Sequence, residues 1–235
     1  MKVAYILPHL GVAGGIERIT TDLSNFFVGQ GVEVKIVSML SKGEVPFEFD
    51  SRVSVKHLGL TIKSRKDLKY CVRQAMLECS DADIIIGSHV GINAYLILNK
   101  HLVKGKVVVT QHDNCEALSR LRLLFNVMLY RFADSFVTLS QVDSRFYKRF
   151  LVKNVVIPNG TNITRKYSWN PESKTLLAIG RLCEIKGFDT LIDAFHIVHS
   201  SYPDWKLNIF GGTFDRDFRD KLESMIHDNG LERSS

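Results

Sequence analysis

The chain has 235 residues, 45% of them hydrophobic and 24% charged, with 31 Lys and Arg against 25 Asp and Glu and a formal net charge of +6. This is the composition of a soluble globular protein with enough apolar material for a core, long enough for one large domain or for one and a half. The positive balance favours anionic partners, without choosing among nucleotides, phospholipid headgroups and nucleic acid.

The four cysteines, Cys71, Cys79, Cys115 and Cys183, form no C-x-x-C pair and have no paired histidine spacing. That argues against a zinc site and a disulfide framework and for reduced thiols. The start, Met1-Lys2-Val3-Ala4-Tyr5-Ile6-Leu7-Pro8, is too short and too soon broken for a signal peptide. No apolar run approaches the roughly 20 residues that span a bilayer. A cytoplasmic protein is expected.

Short apolar runs alternate with amphipathic segments along the chain. The pattern predicts strands at 3–7 and 32–38 around a helix at 16–27, then a strand at 53–57 and a helix at 68–79. It continues with strands at 83–87, 106–110, 135–139 and 155–157, separated by helices at 91–99, 119–132 and 141–150. Near-continuous β-branched runs such as Ile84-Ile85-Ile86 and Val107-Val108-Val109 suit parallel strands buried on both faces. The alternation predicts a doubly wound α/β sheet. A turn-rich stretch from Pro158-Asn159-Gly160 to Asn170-Pro171 reads as a linker. A second β/α pattern then starts afresh, with strands at 175–179 and 207–210 and helices at 188–199 and 215–227. The expected division is a first domain at 1–162, a linker at 163–172 and a second domain at 173–235. Two strand–helix units cannot close a sheet with both faces covered, so the second domain is expected to be incomplete.

Four stretches carry chemistry. Pro8-His9-Leu10-Gly11-Val12-Ala13-Gly14-Gly15 runs from a strand through a glycine loop into a helix, a layout that offers backbone amides and a helix dipole to an anion. It is not G-x-G-x-x-G, and no acidic residue ends the next strand, which disfavours a dinucleotide; a turn needed only for geometry is the plain alternative. Ile179-Gly180-Arg181-Leu182-Cys183-Glu184-Ile185-Lys186-Gly187-Phe188 sets two cations around a turn between a strand's carboxyl end and a helix. Arg supplies a fork for two phosphate oxygens and Lys a mobile point charge, so this stretch suits a diphosphate; two solvated surface cations are the alternative. His112 and His89 follow strand ends, where a histidine can do proton or charge work or serve structure alone.

The fourth stretch is the helix at 119–132. Leu121, Leu124, Phe125, Met128 and Phe132 recur at helical spacing and are expected to pack on the sheet, with Leu123, Val127 and Tyr130 widening the apolar face. Arg120, Arg122 and Arg131 flank it, and the next helix adds Arg145, Lys148 and Arg149 among Phe146, Tyr147 and Phe150. Such a surface suits anionic lipid headgroups, the alternative being a core helix with snorkelling arginines. Asp215 and Glu223, like Asp220 and Asp228, have carboxylate-pair spacing, but no strand end aims them into a cleft; a solvated helix face is expected.

Together these residues resemble glycosyltransferase family 4, the retaining nucleotide-sugar transferases of GT-B architecture. The resemblance rests on Gly14-Gly15-Ile16-Glu17-Arg18, Gln111-His112-Asp113, Val156-Ile157-Pro158-Asn159-Gly160, and above all Gly180-Arg181 with Lys186-Gly187-Phe188-Asp189. It implies an α/β, GT-B type fold with a complete N-terminal Rossmann-like, acceptor-side domain and an incomplete C-terminal donor-binding one. It further implies transfer of a sugar from a nucleotide diphosphate-sugar to a lipid-linked glycan acceptor in surface polysaccharide or lipopolysaccharide biosynthesis.

Residue by residue, the resemblance implies that Arg181, Lys186 and Gly187 bind the donor diphosphate, and that Gly14 and Gly15 let the backbone approach the reacting centre. His112 would be catalytic, beside the transferred sugar or the acceptor, and Asn159 and Gly160 would make an interdomain contact. No metal or other cofactor is implied. Peripheral association with the anionic inner face of the plasma membrane is expected, and no nucleic acid partner. The family's Glu-x7-Glu pair and returning C-terminal helix have no counterpart before Ser235, so a C-terminally truncated member is expected. Two alternatives stand beside an active transferase: an inactive fragment that still binds acceptor or membrane, and an unrelated phosphate-binding α/β module.

Overall fold

The computed structural model describes every residue except 12, 41–44, 113–118, 161–169, 171, 214 and 232–235, and except the side chain of Arg122. The chain forms two compact units, Met1–Ile163 and Thr164–Ser235. The expected linker at 163–172 lies mostly outside the described residues.

The first unit is built on β1 (Lys2–Leu7), β2 (Glu33–Ser38), β3 (Ser54–His57), β4 (Ile84–Gly87), β5 (Lys106–Gln111), β6 (Ser135–Thr138) and β7 (Val155–Val156). They form one sheet in the order β3-β2-β1-β4-β5-β6-β7, with every neighbouring pair parallel. The helices are α1 (Gly15–Gly29), α2 (Arg65–Glu78), α3 (Val90–Leu98), α4 (Arg120–Tyr130) and α5 (Gln141–Arg149). This is the doubly wound arrangement read from the sequence. Local signals set the ends: the Ser64 and Ser140 hydroxyls accept from Asp67 N and Asp143 N to cap α2 and α5.

Chain direction and handedness decide which face each helix covers. The β1–β2 connection steps towards one edge, whereas β3–β4, β4–β5, β5–β6 and β6–β7 step the other way. Right-handed crossovers therefore send α1 to one face and α2 to α5 to the other. The larger core cluster, with Ile6, Ile85, Val107, Phe136 and Tyr147, lies under α2 to α5, and a second one, with Tyr5, Leu7 and Ile36, lies under α1. On that same face a cavity lies between α1, through Thr20, Leu23 and Phe27, and the strands, through Tyr5, Ile86, Val108 and Val137.

Helix α4 is turned the other way from the expectation. The residues it buries are Asn126, Val127 and Tyr130, with Leu123 partly buried, while Leu121, Leu124, Phe125, Met128 and Phe132 are exposed. Tyr130 stacks edge-on against Phe136 at 4.7 Å between ring centroids and lies parallel to Tyr147 at 6.0 Å. Its hydroxyl donates to Gln111 Oε1 over 3.3 Å. The buried stripe contains a polar residue and a hydroxyl with an internal acceptor, so a search for the most apolar stripe selects the outward one.

The second unit has β8 (Thr175–Ile179) and β9 (Lys206–Phe210), a parallel pair, with α6 (Phe188–Ser201) and α7 (Arg216–Asp228). Phe188, Ile192, Phe218 and Leu222 form its core, with Ala178 and Ile209 from the sheet. Leu177, Ile179 and Phe210 are exposed. The unit is thus two strand–helix repeats of a Rossmann-like domain, incomplete as a sheet.

Candidate functional site

In the first unit, β1 leads through the glycine loop to Gly14, the N-cap of α1, which caps without a side-chain hydrogen bond. A Cβ at Gly14 would stand 2.3 Å from Glu17 Oε2, whereas one at Gly15 would meet nothing within 4 Å. Glycine at 14 thus lets the Glu17 carboxylate fold back over the helix start. Glu17 is buried, with Oε1 3.3 Å from His9 Nδ1. His9 and Glu17 were not singled out from the sequence; the signal was available, because Glu17 is three residues past the cap, where a side chain can reach back.

His112 follows β5, its Nε2 3.0 Å from Thr110 Oγ1. It lines a cavity of about 490 Å³ together with Tyr5, Thr20, Ser88, Val137, Asn159 and Gly160. That volume lies in the range of small-molecule sites. The fold therefore brings His112, Asn159 and Gly160, distant in sequence, to one cavity; Gly14 and Gly15 are not among its lining residues. His89 serves structure: its Nδ1 accepts from Gly91 N at 3.1 Å and caps α3.

In the second unit the two strands remain zipped past their ends. Gly180 N donates to Phe210 O and Leu182 N to Gly212 O. The approach is so close that a Cβ at Gly211 would stand 1.8 Å from Gly180 O, which leaves glycine as the residue that fits. Arg181 leaves this junction, a one-turn 3-10 helix follows at Glu184–Lys186, and Gly187 takes φ +64 to start α6. Arg181 and Lys186 thus flank the segment between the carboxyl end of β8 and the start of α6. Both side chains are exposed. Among the described residues neither has an ion-pair partner. By contrast Lys221 is bound 3.0 Å from Asp189 Oδ2, and its ammonium holds that carboxyl below the usual range.

The carboxylate spacing on α7 is structural. Asp215 Oδ1 accepts from Phe218 N to cap the helix, and Glu223 pairs with Arg219 at 2.8 Å. Among the described residues no group of three or more His, Cys, Asp and Glu could hold a metal ion, and no helix is long and apolar enough to cross a membrane.

Residues 13–165 match the family profile described as Glycosyltransferase Family 4, and residues 160–234 match Glycosyl transferases group 1. The amylovoran biosynthesis glycosyltransferase AmsD of Erwinia amylovora is 26% identical over 244 residues, which cover 100% of this chain and 68% of that protein. The Campylobacter jejuni GalNAc-alpha-(1->4)-GalNAc-alpha-(1->3)-diNAcBac-PP-undecaprenol alpha-1,4-N-acetyl-D-galactosaminyltransferase is 25% identical over 246 residues, 99% of this chain and 66% of that one. The crystal structure of Anabaena Alr3699/HepE in complex with UDP and glucose superposes with a TM-score of 0.76 at 19% identity, covering 99% of this chain and 67% of that chain. The fold is accordingly of GT-B type, and the chain spans about two thirds of the length of these relatives.

Proposed function

The chain belongs to glycosyltransferase family 4, and from that membership we propose that it transfers a sugar from a nucleotide diphosphate-sugar to a lipid-linked glycan acceptor in surface polysaccharide or lipopolysaccharide biosynthesis. The observation that carries the reading is the turn after β8, where Arg181 and Lys186 stand exposed and without ion-pair partners among the described residues at the start of α6. Two cations and the first amides of a helix suit the two phosphates of a departing nucleoside diphosphate. Charge stabilisation of that leaving group is the catalytic work such a site does, and two cations supply it without a metal. His112, which lines that cavity, is assigned to the reacting sugar or the acceptor, with Gly14 and Gly15 giving backbone access. Asn159 and Gly160 are assigned to the interdomain link.

The relatives' names support the wider assignment: one is named for amylovoran biosynthesis, another for a PP-undecaprenol-linked glycan, and the Anabaena structure holds UDP. A cytoplasmic location at the inner face of the plasma membrane goes with a lipid-linked acceptor. The division at 1–162, 163–172 and 173–235 into acceptor-side domain, linker and donor-binding domain belongs to the same reading.

Calorimetric titration of the chain with uridine and guanosine diphosphates tests it. Binding of one nucleotide is expected, weakened on the order of 100-fold in Arg181→Ala/Lys186→Ala, since a charge-assisted hydrogen bond is worth about 1.5–3 kcal/mol. Heat that is the same in the double variant, or none with either nucleotide, would sink the diphosphate assignment. A second reading keeps acceptor or membrane binding without transfer, and the exposed Leu177, Ile179 and Phe210 on the two-stranded sheet favour it. A chain that binds nucleotide diphosphate yet leaves nucleotide-sugars intact would favour that second reading.

A further inference from the structure

The exposed side of α4 is a surface of the first unit that the proposed function leaves unexplained. Leu121, Leu124, Phe125, Met128 and Phe132 form one continuous outward stripe, opposite the buried Asn126, Val127 and Tyr130. Leu121 is 83% exposed, so the stripe is not the margin of a core contact. It continues onto the end of α5. Arg131 Nη2 donates to Phe150 O over 2.7 Å, joining the two helix ends, where Phe150 and Leu151 are also exposed. Leu151 is 83% exposed at φ +59, a left-handed position that glycine usually fills. A bulky apolar side chain is held out into solvent there.

The charge along this segment is mostly positive. Residues 119–153 hold seven Arg and Lys and two Asp. Both carboxylates are engaged: Asp134 Oδ1 pairs with Lys100 at 2.6 Å, and Asp143 accepts from Ser140 Oγ at 2.5 Å. Arg145, Lys148 and Arg149 on α5 are exposed beside the joined helix ends.

We propose that this stripe and its cationic border dock on an anionic lipid bilayer, the α4 side chains and Leu151 entering the headgroup–acyl boundary while the arginines and lysines engage lipid phosphates. An apolar face with a predominantly basic rim matches such a surface in both its components. A partner protein with an ordinary mixed-charge surface leaves most of these cations unpaired. The inference rests on the proposed action upon a lipid-linked acceptor and gives the surface that would hold the protein beside it.

The test is flotation of the purified full chain with vesicles, without nucleotide-sugar. Binding is expected to vesicles of phosphatidylcholine with about one third phosphatidylglycerol and not to phosphatidylcholine alone, and to weaken as salt shortens the screening length. Leu124→Glu/Met128→Glu is expected to reduce the bound fraction at least about tenfold, and Arg145→Ala/Lys148→Ala/Arg149→Ala several-fold, with unchanged circular dichroism. Leu151→Gly is expected to weaken binding while leaving the fold intact. A wild-type chain that stays at the bottom of the gradient, or variants that float as it does, would overturn the proposal. So would self-association in sedimentation velocity that Leu124→Glu/Met128→Glu abolishes, since a second copy would then cover the stripe. A chain that floats but binds no nucleotide diphosphate leaves this inference standing and removes the donor assignment instead.

Discussion

Leu151 and Gly211 illustrate opposite ways in which a single residue meets the backbone. At Gly211 the chain approaches Gly180 O so closely that a methyl group would overlap it, and the sequence supplies glycine. At Leu151 the chain turns through φ +59 after α5, with Leu151 N donating to Lys148 O and Val152 N to Tyr147 O, and the sequence supplies leucine. An L-residue in this conformation costs roughly 1–2 kcal/mol, and the exposed side chain recovers little of it by burial. Leu151→Gly should therefore raise the unfolding free energy of the first unit by about 0.5–1 kcal/mol, less than the full strain because glycine loses more entropy on folding. Urea unfolding measures this; a loss of stability would show that Leu151 makes a native contact. Glycines and the Arg181–Lys186 spacing were legible in the sequence because turn chemistry is local. The leucine at a glycine position was not, because nothing in its neighbours announces a left-handed residue.

Helix α4 raises the same question at the scale of an element. Its existence followed from composition and spacing, but its rotation about its own axis did not. The stripe chosen by counting apolar residues faces outward, because the sheet accepts Asn126 and Tyr130 inside. Tyr130 fits there through its contacts with Phe136 and Tyr147 and the hydrogen bond to Gln111, all on other elements of the fold. A pair of truncations distinguishes the two orientations. Val127→Ala, at 4% exposure, should destabilise by about 1–3 kcal/mol, whereas Leu124→Ala, at 58%, should stay within about 0.5 kcal/mol. Equal losses in chemical denaturation would favour the orientation expected from periodicity.

Across the molecule, pairing of carboxylates with nearby cations sets the acid side of stability. Hydrogen bonds from Arg52 hold the Asp50 carboxyl at about 2, the Lys2 ammonium holds Asp81 low, and Lys221 does the same for Asp189. Burial opposes ionisation at Asp134, but Lys100 and the Val107 amide outweigh it and keep its carboxyl low. A carboxyl that is more acidic folded than unfolded stabilises the fold above its unfolded value, near 3.9 for Asp, and loses that contribution as pH falls through the folded value. Thermal midpoints should thus be nearly level above about pH 5 and fall between about pH 4 and 2. In Arg52→Ala the fall should be shallower; a curve parallel to the wild type would exclude Asp50 from the effect. The succession of strands and helices and the turn after β8 were determined by the sequence itself, because hydrophobic period, caps and turn residues act over a few positions. Only the tertiary structure decided that His112 shares a cavity with Asn159 and Gly160, and that α4 turns its most apolar stripe to solvent. Those outcomes depend on the handedness of crossovers and on which side chains the sheet can satisfy, and both act between residues far apart in the chain.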